Sequence, residues 1–552
     1  RTDVRQKNYT FQQQLHWRQE FGVHSVDALL GHESYKLTRN YMASGKDSEI
    51  VPNLTNLLNF TQFAQLYDYN DNYALESYLG RVRYGYDSRY NIEFSFRRDG
   101  SSRFAKNARW GNFWSTGASW VISNEKFMKQ YDWVNYLKLR ADYGEVGNDS
   151  GSGLYGYMAL YQQDVHAGMG AYYISQLPNE DLKWETGQSW GVSIEGRLFN
   201  KLNFNVEYFD RRNKDLIFNV YNPLSAGATD TTTPQSVTTM NLGTISNHGV
   251  EISCDMDVYK SKNWSVNVGA SITFEKNKVV KLPEQNRDGI IDGTKKIVEG
   301  MDRYQFYTYT WEGVNTKNGL SLYKFNGDEY FFTDGGTTYG NPAGTEITGS
   351  QKNAVLVIDG TPYSYLTTYG KREFHGSAMP TAYGSFNFSV SYKAFSLYTL
   401  FTYQLGGKVM DSNYQLLMNS QSTPTALHKD VLKGWTAEQA TATDAIDRNG
   451  VPMLSDAPVI VSGLEADLNS TSSRWLTSAS YLILKNINLS YQLPKELVRK
   501  AGIENVMLTL TCENLFTLTS RKGMNPQQNF AGTQSATFVT PRIFSAGVNI
   551  KF

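Results

Sequence analysis

One string in the chain has the residue types and spacing of a cation site. Glu284, Asn286, Asp288 and Asp292 place side-chain oxygens at positions one, three, five and nine of a loop with Gly289 at six, as a calcium-binding loop does. Position twelve is Lys295, where such a loop needs a bidentate glutamate, and the flanking segments read as strands rather than helices. The string therefore reads first as a glycine-containing external turn and second as a calcium candidate. Covalent chemistry has less to draw on. GxSxG and HExxH are absent, and the seven histidines are scattered. His24 adjoins Ser25, but neighbours in a strand face opposite sides, so the two do not make a nucleophile and its base. His16 shares a face with Gln14 and Arg18 and reads as a polar wall residue. Cys254 and Cys512 fall on the apolar faces of strands far apart in order, and read as small wall residues rather than a bridge. No enzyme activity, catalytic residue or cofactor is expected.

The elements that position these residues are strands of a particular kind. The 552 residues carry 53 basic and 53 acidic side chains, so no basic footprint for nucleic acid is present. Mean hydropathy is -0.47, and no run of about 18 apolar residues occurs, which excludes a helical membrane protein. A barrel passes this test because only alternate residues of each strand meet lipid. The aromatic share of 14 %, with 37 Tyr, 28 Phe and 11 Trp, suits the girdles at the two membrane interfaces. Two cysteines and abundant Gly suit an exported, turn-rich β protein.

Alternation carries the argument. In Arg542 to Phe552, Phe544, Ala546, Val548, Ile550 and Phe552 share one face and Ser545, Gly547, Asn549 and Lys551 the other. Trp264, Val266, Val268, Ala270, Ile272 and Phe274 oppose Ser265, Asn267, Gly269, Ser271, Thr273 and Glu275. Tyr78, Gly80, Val82, Tyr84 and Tyr86 oppose Arg81 and Arg83, which predicts two arginines on the interior wall. Gly384 to Lys393, Phe395 to Tyr403 and Val506 to Glu513 repeat the pattern. Each run is about 9 to 12 residues, enough for a tilted strand to cross a bilayer.

Connections alternate between short and long, as they do in outer-membrane barrels. The short set is Glu20 to Gly22, Tyr86 to Tyr90, Phe199 to Lys201, Asp257 to Asn263, Tyr392 to Ala394 and Pro494 to Asn505, with a longer member at Ser123 to Asn135. The long, external set is His32 to Leu75, Gly144 to Gln188, Arg211 to Ser246, Asn277 to Arg303, Asn326 to Met379, Gly406 to Ala479 and Leu515 to Pro541. Trp311 to Leu320 reads as a hairpin through Lys317, Asn318 and Gly319. The total is roughly 17 strands. A bacterial single-chain barrel needs an even number, so the odd total and an initial Arg1 predict missing upstream sequence. In a barrel of about 22 strands, about five would lie upstream.

Particular strings add a family resemblance. RRDGSSRF (Arg97 to Phe104), RWGNFWSTGASWVISNEKF (Arg109 to Phe127), LKLRADYGEVGN (Leu137 to Asn148), DLKWETGQSWGVSIEGRLFN (Asp181 to Asn200), NLGTISNHGVEIS (Asn241 to Ser253), YTWEGVNTKNG (Tyr309 to Gly319), SYLILKNINLSYQLPKEL (Ser480 to Leu497) and ENLFTLTSRKGMNPQ (Glu513 to Gln527) span nearly the whole chain. In this order they resemble the C-terminal part of a SusC/RagA-type TonB-dependent outer-membrane transporter of Bacteroidetes. Ile483 departs from the family, which commonly has Arg after the Tyr-Leu pair.

The resemblance implies an all-β transmembrane antiparallel barrel, with residues 1–552 forming its C-terminal part and an N-terminal plug and first strands upstream. It implies energised import of a nutrient, an oligosaccharide or an oligopeptide, in outer-membrane lipid. The implied partners are a SusD-like surface lipoprotein acting as a lid and the TonB-ExbB-ExbD complex, reached through the missing N-terminal region. A dimer of transporter and lid pairs is also implied. Long loops rich in Asn, Ser, Thr, Gly and Tyr suit sugars and peptides alike, and assign no contact residue. A passive porin constricted by its loops, or a surface receptor or adhesin, are the alternatives.

Overall fold

Alternating runs become strands throughout. The computed structural model describes residues 2–166, 168–221, 237–418, 426–438, 446–447, 469–520, 525, 527 and 540–552. Fifteen long strands follow one another antiparallel in chain order. They are β1 (Thr2–Phe21), β2 (His24–Glu49), β3 (Phe60–Tyr86), β4 (Tyr90–Ser101), β5 (Trp110–Val121), β6 (Val134–Asn148), β7 (Glu185–Leu198), β8 (Leu202–Lys214), β9 (Thr244–Lys260), β10 (Trp264–Lys281), β11 (Ala382–Tyr392), β12 (Phe395–Leu405), β13 (Tyr481–Gln492), β14 (Asn505–Thr519) and β15 (Ile543–Lys551). The chain forms two compact units, Arg1–Val250 with Val280–Gln285, and Glu251–Val279 with Asn286–Phe552.

Tight turns join the strands where they were expected. Asp87 and Ser88 both have φ near +50°, as do Phe199 and Asn200 at 56°, the left-handed pair that matches a hairpin to the twist of its strands. Phe199 is an unusual residue in that conformation. Its ring stacks on Trp133 at 5.5 Å, which holds the turn. The longer connection after β5 is two short 3-10 turns, Ile122–Asn124 and Lys126–Gln130. The connection between β9 and β10 is only residues 261–263, because β9 runs to Lys260.

Two sequence expectations are corrected. Among the described residues the sheet has fifteen strands rather than roughly seventeen, because the Trp311 to Leu320 hairpin forms outside it. Trp311–Asn315 and Ser321–Lys324 do pair, with Gly319 at φ +73° in the turn. Both are too short to cross a bilayer, and both faces of each are covered, so they lack the alternation of a wall strand. They belong to a separate sheet with Val355–Ile358, Thr361–Ser364 and Ile446–Asp447. Second, His32 to Leu75 is no loose loop. β2 and β3 pair from His24↔Tyr86 to Glu49↔Phe60, leaving only residues 50–59 as the connection. The connections after β10 and β12 carry cores of their own. Phe306, Ala378, Met410, Met418, Val431 and Trp475 form one, and Phe325, Phe332, Ile347, Val355 and Tyr369 another. Parts of the long connections 211–246, 406–479 and 515–541 lie outside the described residues.

Candidate functional site

In the first unit the two faces of the sheet have opposite chemistry. Trp17, Leu30, Val82, Ile92 and Phe94 lie on one face and are exposed there. A contiguous exposed apolar face is incompatible with water and suits lipid. Aromatic residues bracket it. At the end near the tight turns, Tyr90 stacks on Trp120 at 6.4 Å and His24 donates to or accepts from the Tyr84 hydroxyl at 2.7 Å. At the other end, Tyr78 lies 6.2 Å from Trp110 and 5.0 Å from His32, stacked. His24 to His32 is eight strand steps, about 26 Å along the strand at ~3.3 Å per residue, about the length with which a tilted strand crosses the hydrocarbon. Beyond His32 the same face of β2 turns polar at Ser34, Lys36 and Thr38.

The opposite face is a wall of matched charges. His16 Nε2 lies 2.9 Å from Asp27, and Arg81 3.5 Å from the same carboxylate. Arg83 pairs with Glu93, and Arg97 binds Asp99 at 2.7 Å and the Ser77 hydroxyl at 2.9 Å. Lys138 meets Glu195 at 2.9 Å, and Arg140 lies 3.3 Å from both Asp142 and Glu207. Wet pairs of this kind contribute about 0–1 kcal/mol each. Their effect is on the field, since each of these bases is answered by an acid and the pairs together favour neither sign of solute. Of these, Asp27, Arg83, Glu93, Arg97, Asp99, Arg140 and Asp142 line a concavity of about 1170 Å³, which also reaches Tyr73, Phe113 and Trp184.

The second unit's wall is uncharged for most of its length. Ser271 meets Ser385 at 2.9 Å, Ser391 meets Ser396 at 2.8 Å, and Asn488 donates to Thr511 at 2.7 Å. Asn267 donates to Asp255 at 3.0 Å and to Asp257 at 3.3 Å. Its reverse face exposes Phe388, Leu489, Leu510, Phe544 and Val548. Both units thus present one face for lipid and one for water.

Arg81, Arg83 and His16 stand on the polar wall, as parity predicts, and His24 and Ser25 face opposite sides. His24 joins the aromatic girdle, and Ser25 lines the concavity. Cys254 and Cys512 are free, the first exposed and the second covered. Glu284 lies in a 3-10 turn with Asn286, and Asp292 ends the strand Ile290–Asp292, paired to Lys295. Gly289 turns the chain at φ +95°. Among the described residues no three His, Cys, Asp or Glu side chains gather as a metal site would need. Lys295, at the twelfth position, lies 5.0 Å over the Phe306 ring. Ile483 is buried and sits just before a register shift in β13.

Sequence parity missed one device at the tight-turn end. Glu125 accepts from Arg89 at 2.9 Å, from the Trp120 indole at 3.1 Å and from the Tyr90 hydroxyl. The Tyr90 hydroxyl, acting with Trp120 and Arg89 against burial, holds the Glu125 carboxyl below the ordinary carboxylate range. Nothing in the run Ser123 to Asn135 marks Glu125, because Arg89 and Tyr90 come from the turn between β3 and β4 and Trp120 from β5.

An apolar lipid face, a polar wall and aromatic girdles define a strand-built wall of the outer membrane. The chain belongs to the family of TonB dependent receptor-like beta-barrels, whose model matches residues 1–407. It is 27 % identical to TonB-dependent receptor P3 of Formosa agariphila, over 100 % of this chain and 52 % of that protein. It is 24 % identical to TonB-dependent receptor SusC of Bacteroides thetaiotaomicron, over 100 % and 51 %. The chain therefore spans about half the length of the curated relatives it matches. Among solved structures it resembles the RagAB peptide transporter in fold, with a TM-score of 0.77 at 23 % identity, covering 100 % of this chain and 56 % of that one. The family is one of receptors and transporters, not of enzymes, and its members are outer-membrane proteins.

Proposed function

We propose that the full protein imports a nutrient across the outer membrane by a TonB-dependent mechanism, with a SusD-like lipoprotein as its lid. Residues 1–552 then supply the C-terminal part of the barrel, and a plug and further strands precede them. The observation that carries this reading is the pairing of a lipid-facing apolar surface with a charge-balanced wall around a 1170 Å³ concavity, on a chain of the TonB-dependent family. SusC and RagAB, by name, make a glycan or a peptide the cargo classes to weigh. A balanced wall suits a polar cargo of low net charge, since a strong field of one sign would hold ions of the other.

Polar walls are needed by a porin too, so composition does not separate the two. Purifying the full-length protein from native outer membranes in mild detergent, with mass spectrometry of what accompanies it, does. A stoichiometric SusD-like lipoprotein is the expected result. A barrel recovered alone, without a plug in its intact mass, would overturn the proposal and favour the porin.

A further inference from the structure

The paired strands β2 and β3 continue well past the upper aromatic girdle, and their extension has two unlike faces. The face continuous with lipid carries Thr38, Asn40, Asn70 and Asn72, with Thr38 donating to Asn72 at 3.3 Å and Asn40 donating to Asn70. The face continuous with the polar wall carries Tyr35, Arg39 and Tyr41 on β2 and Tyr67, Tyr69, Asp71 and Tyr73 on β3. These residues share parity with Asp27 and Arg83, so they overlook the same side as the charged wall.

The rings are ordered by one another. Tyr41 stacks on Tyr69 at 4.9 Å with 18° between planes, and Tyr67 meets Tyr69 edge-on at 5.5 Å. Lower down, Tyr35 lies 5.9 Å from Tyr73, over whose ring the Arg103 guanidinium lies at 4.9 Å. Tyr67 remains 59 % exposed. Stacking alone would explain a hairpin brace. It does not explain the polar groups beside the rings.

Arg39 and Asp71 stand directly opposite each other in register, where an Arg and an Asp ordinarily close an ion pair. Here they do not. The guanidinium is instead drawn 6.0 Å over both Tyr41 and Tyr69, and among the described residues neither Arg39 nor Asp71 has an ion-pair partner. Aromatic faces flanked by one open donor and one open acceptor match a sugar ring, which offers an apolar C–H face and hydroxyls that both give and take hydrogen bonds. Charge adds nothing net, which selects an uncharged saccharide over an ionic one.

We infer that Tyr41, Tyr67, Tyr69, Arg39 and Asp71 form a saccharide platform at the external mouth, taking a chain of neutral sugars. This deepens the import reading and rests on it. The assay is calorimetric binding to full-length protein in detergent, with maltoheptaose, xylohexaose, mannohexaose and a casein digest as probes. One of the oligosaccharides should bind saturably. Tyr41→Ala and Tyr69→Ala should each weaken that binding tenfold or more, Asp71→Asn severalfold, and Tyr69→Phe less than threefold. Variants that keep the heat-modifiable migration of a folded barrel are the ones compared. Native affinity in both alanine variants overturns the platform, and binding of peptides only, or of none of the probes, overturns the assignment to neutral sugars. Failure of the import reading is separate: it is read from loss of lipoprotein co-purification, which none of these variants should alter.

Discussion

Trp475→Ala tests whether the connections after β10 and β12 are folded together around one core. Trp475 is fully buried among Phe306, Ala378, Met410, Met418 and Val431, with Tyr414 and Leu476 packed on the same cluster. Its indole N–H donates to the Ser470 carbonyl at 3.0 Å, and Arg474 covers a face at 4.3 Å. Burying a side chain of about 250 Å² at ~25 cal/mol per Å² is worth at most about 6 kcal/mol against an extended chain. Measured truncations of buried Trp cost about 3–5 kcal/mol. The open population of this region should then rise about a hundredfold to a few thousandfold. Native-state proteolysis reads that population directly when reclosing is fast. Cleavage in residues 295–380 should accelerate by that factor in the alanine variant, while the barrel itself stays folded. Trp475→Phe keeps most of the packing and loses one hydrogen bond, so it should cost only about 1–3 kcal/mol. Cleavage within threefold of native for Trp475→Ala would mean that the cluster does not close this region.

Other consequences follow from the same geometry. A Cβ on Gly147 would lie 2.1 Å from Phe113 Cζ, so Gly147→Ala should displace Phe113 from its cluster with Phe104, Leu182 and Trp184 and destabilise by about 1–3 kcal/mol, read as a lower unfolding temperature in detergent. Glu125→Gln removes the charge that Arg89, Tyr90 and Trp120 surround, and should lower that temperature at pH 7 but not at a pH below the carboxyl's own depressed titration. Its contribution is present above the ordinary carboxylate range and is lost as pH falls through the depressed value. Burial also holds the His375 imidazole below its ordinary range beside Thr310, at 3.2 Å. Proteolytic protection of residues 295–380 should fall as pH drops below about 6.5, because the open chain takes up the proton first. His375→Gln should flatten that dependence.

Much of the wall was legible because period-two alternation is imposed residue by residue by lipid on one side and water on the other. Arg81 and Arg83 could be placed from parity alone, and so could the outward set ending at Phe552. The projecting part of β2 and β3 was not legible, because past the girdle both faces meet water and the alternation loses its apolar partner. Tyr41, Tyr67 and Tyr69 alternate there with Asn and Asp, which reads as loop composition. The Trp311 to Leu320 hairpin was misplaced for the converse reason. Its turn chemistry is local and correct, but turn chemistry does not say which sheet a hairpin joins. Cores such as that around Trp475 draw on residues from Phe306 to Trp475, a separation that no window of sequence spans. Glu125 was missed likewise, since Arg89 and Tyr90 come from a different turn.

If the full protein imports its cargo by the TonB-dependent mechanism proposed above, uptake should depend on cellular energy. Cells making the full-length protein would be given a labelled oligosaccharide that the purified protein binds, with the proton-motive force intact or collapsed and with TonB present or deleted. Accumulation above the external concentration, lost when either is removed, is the expected result. Uptake that only equilibrates with the medium, and is unchanged by both treatments, would contradict it and identify a passive pore.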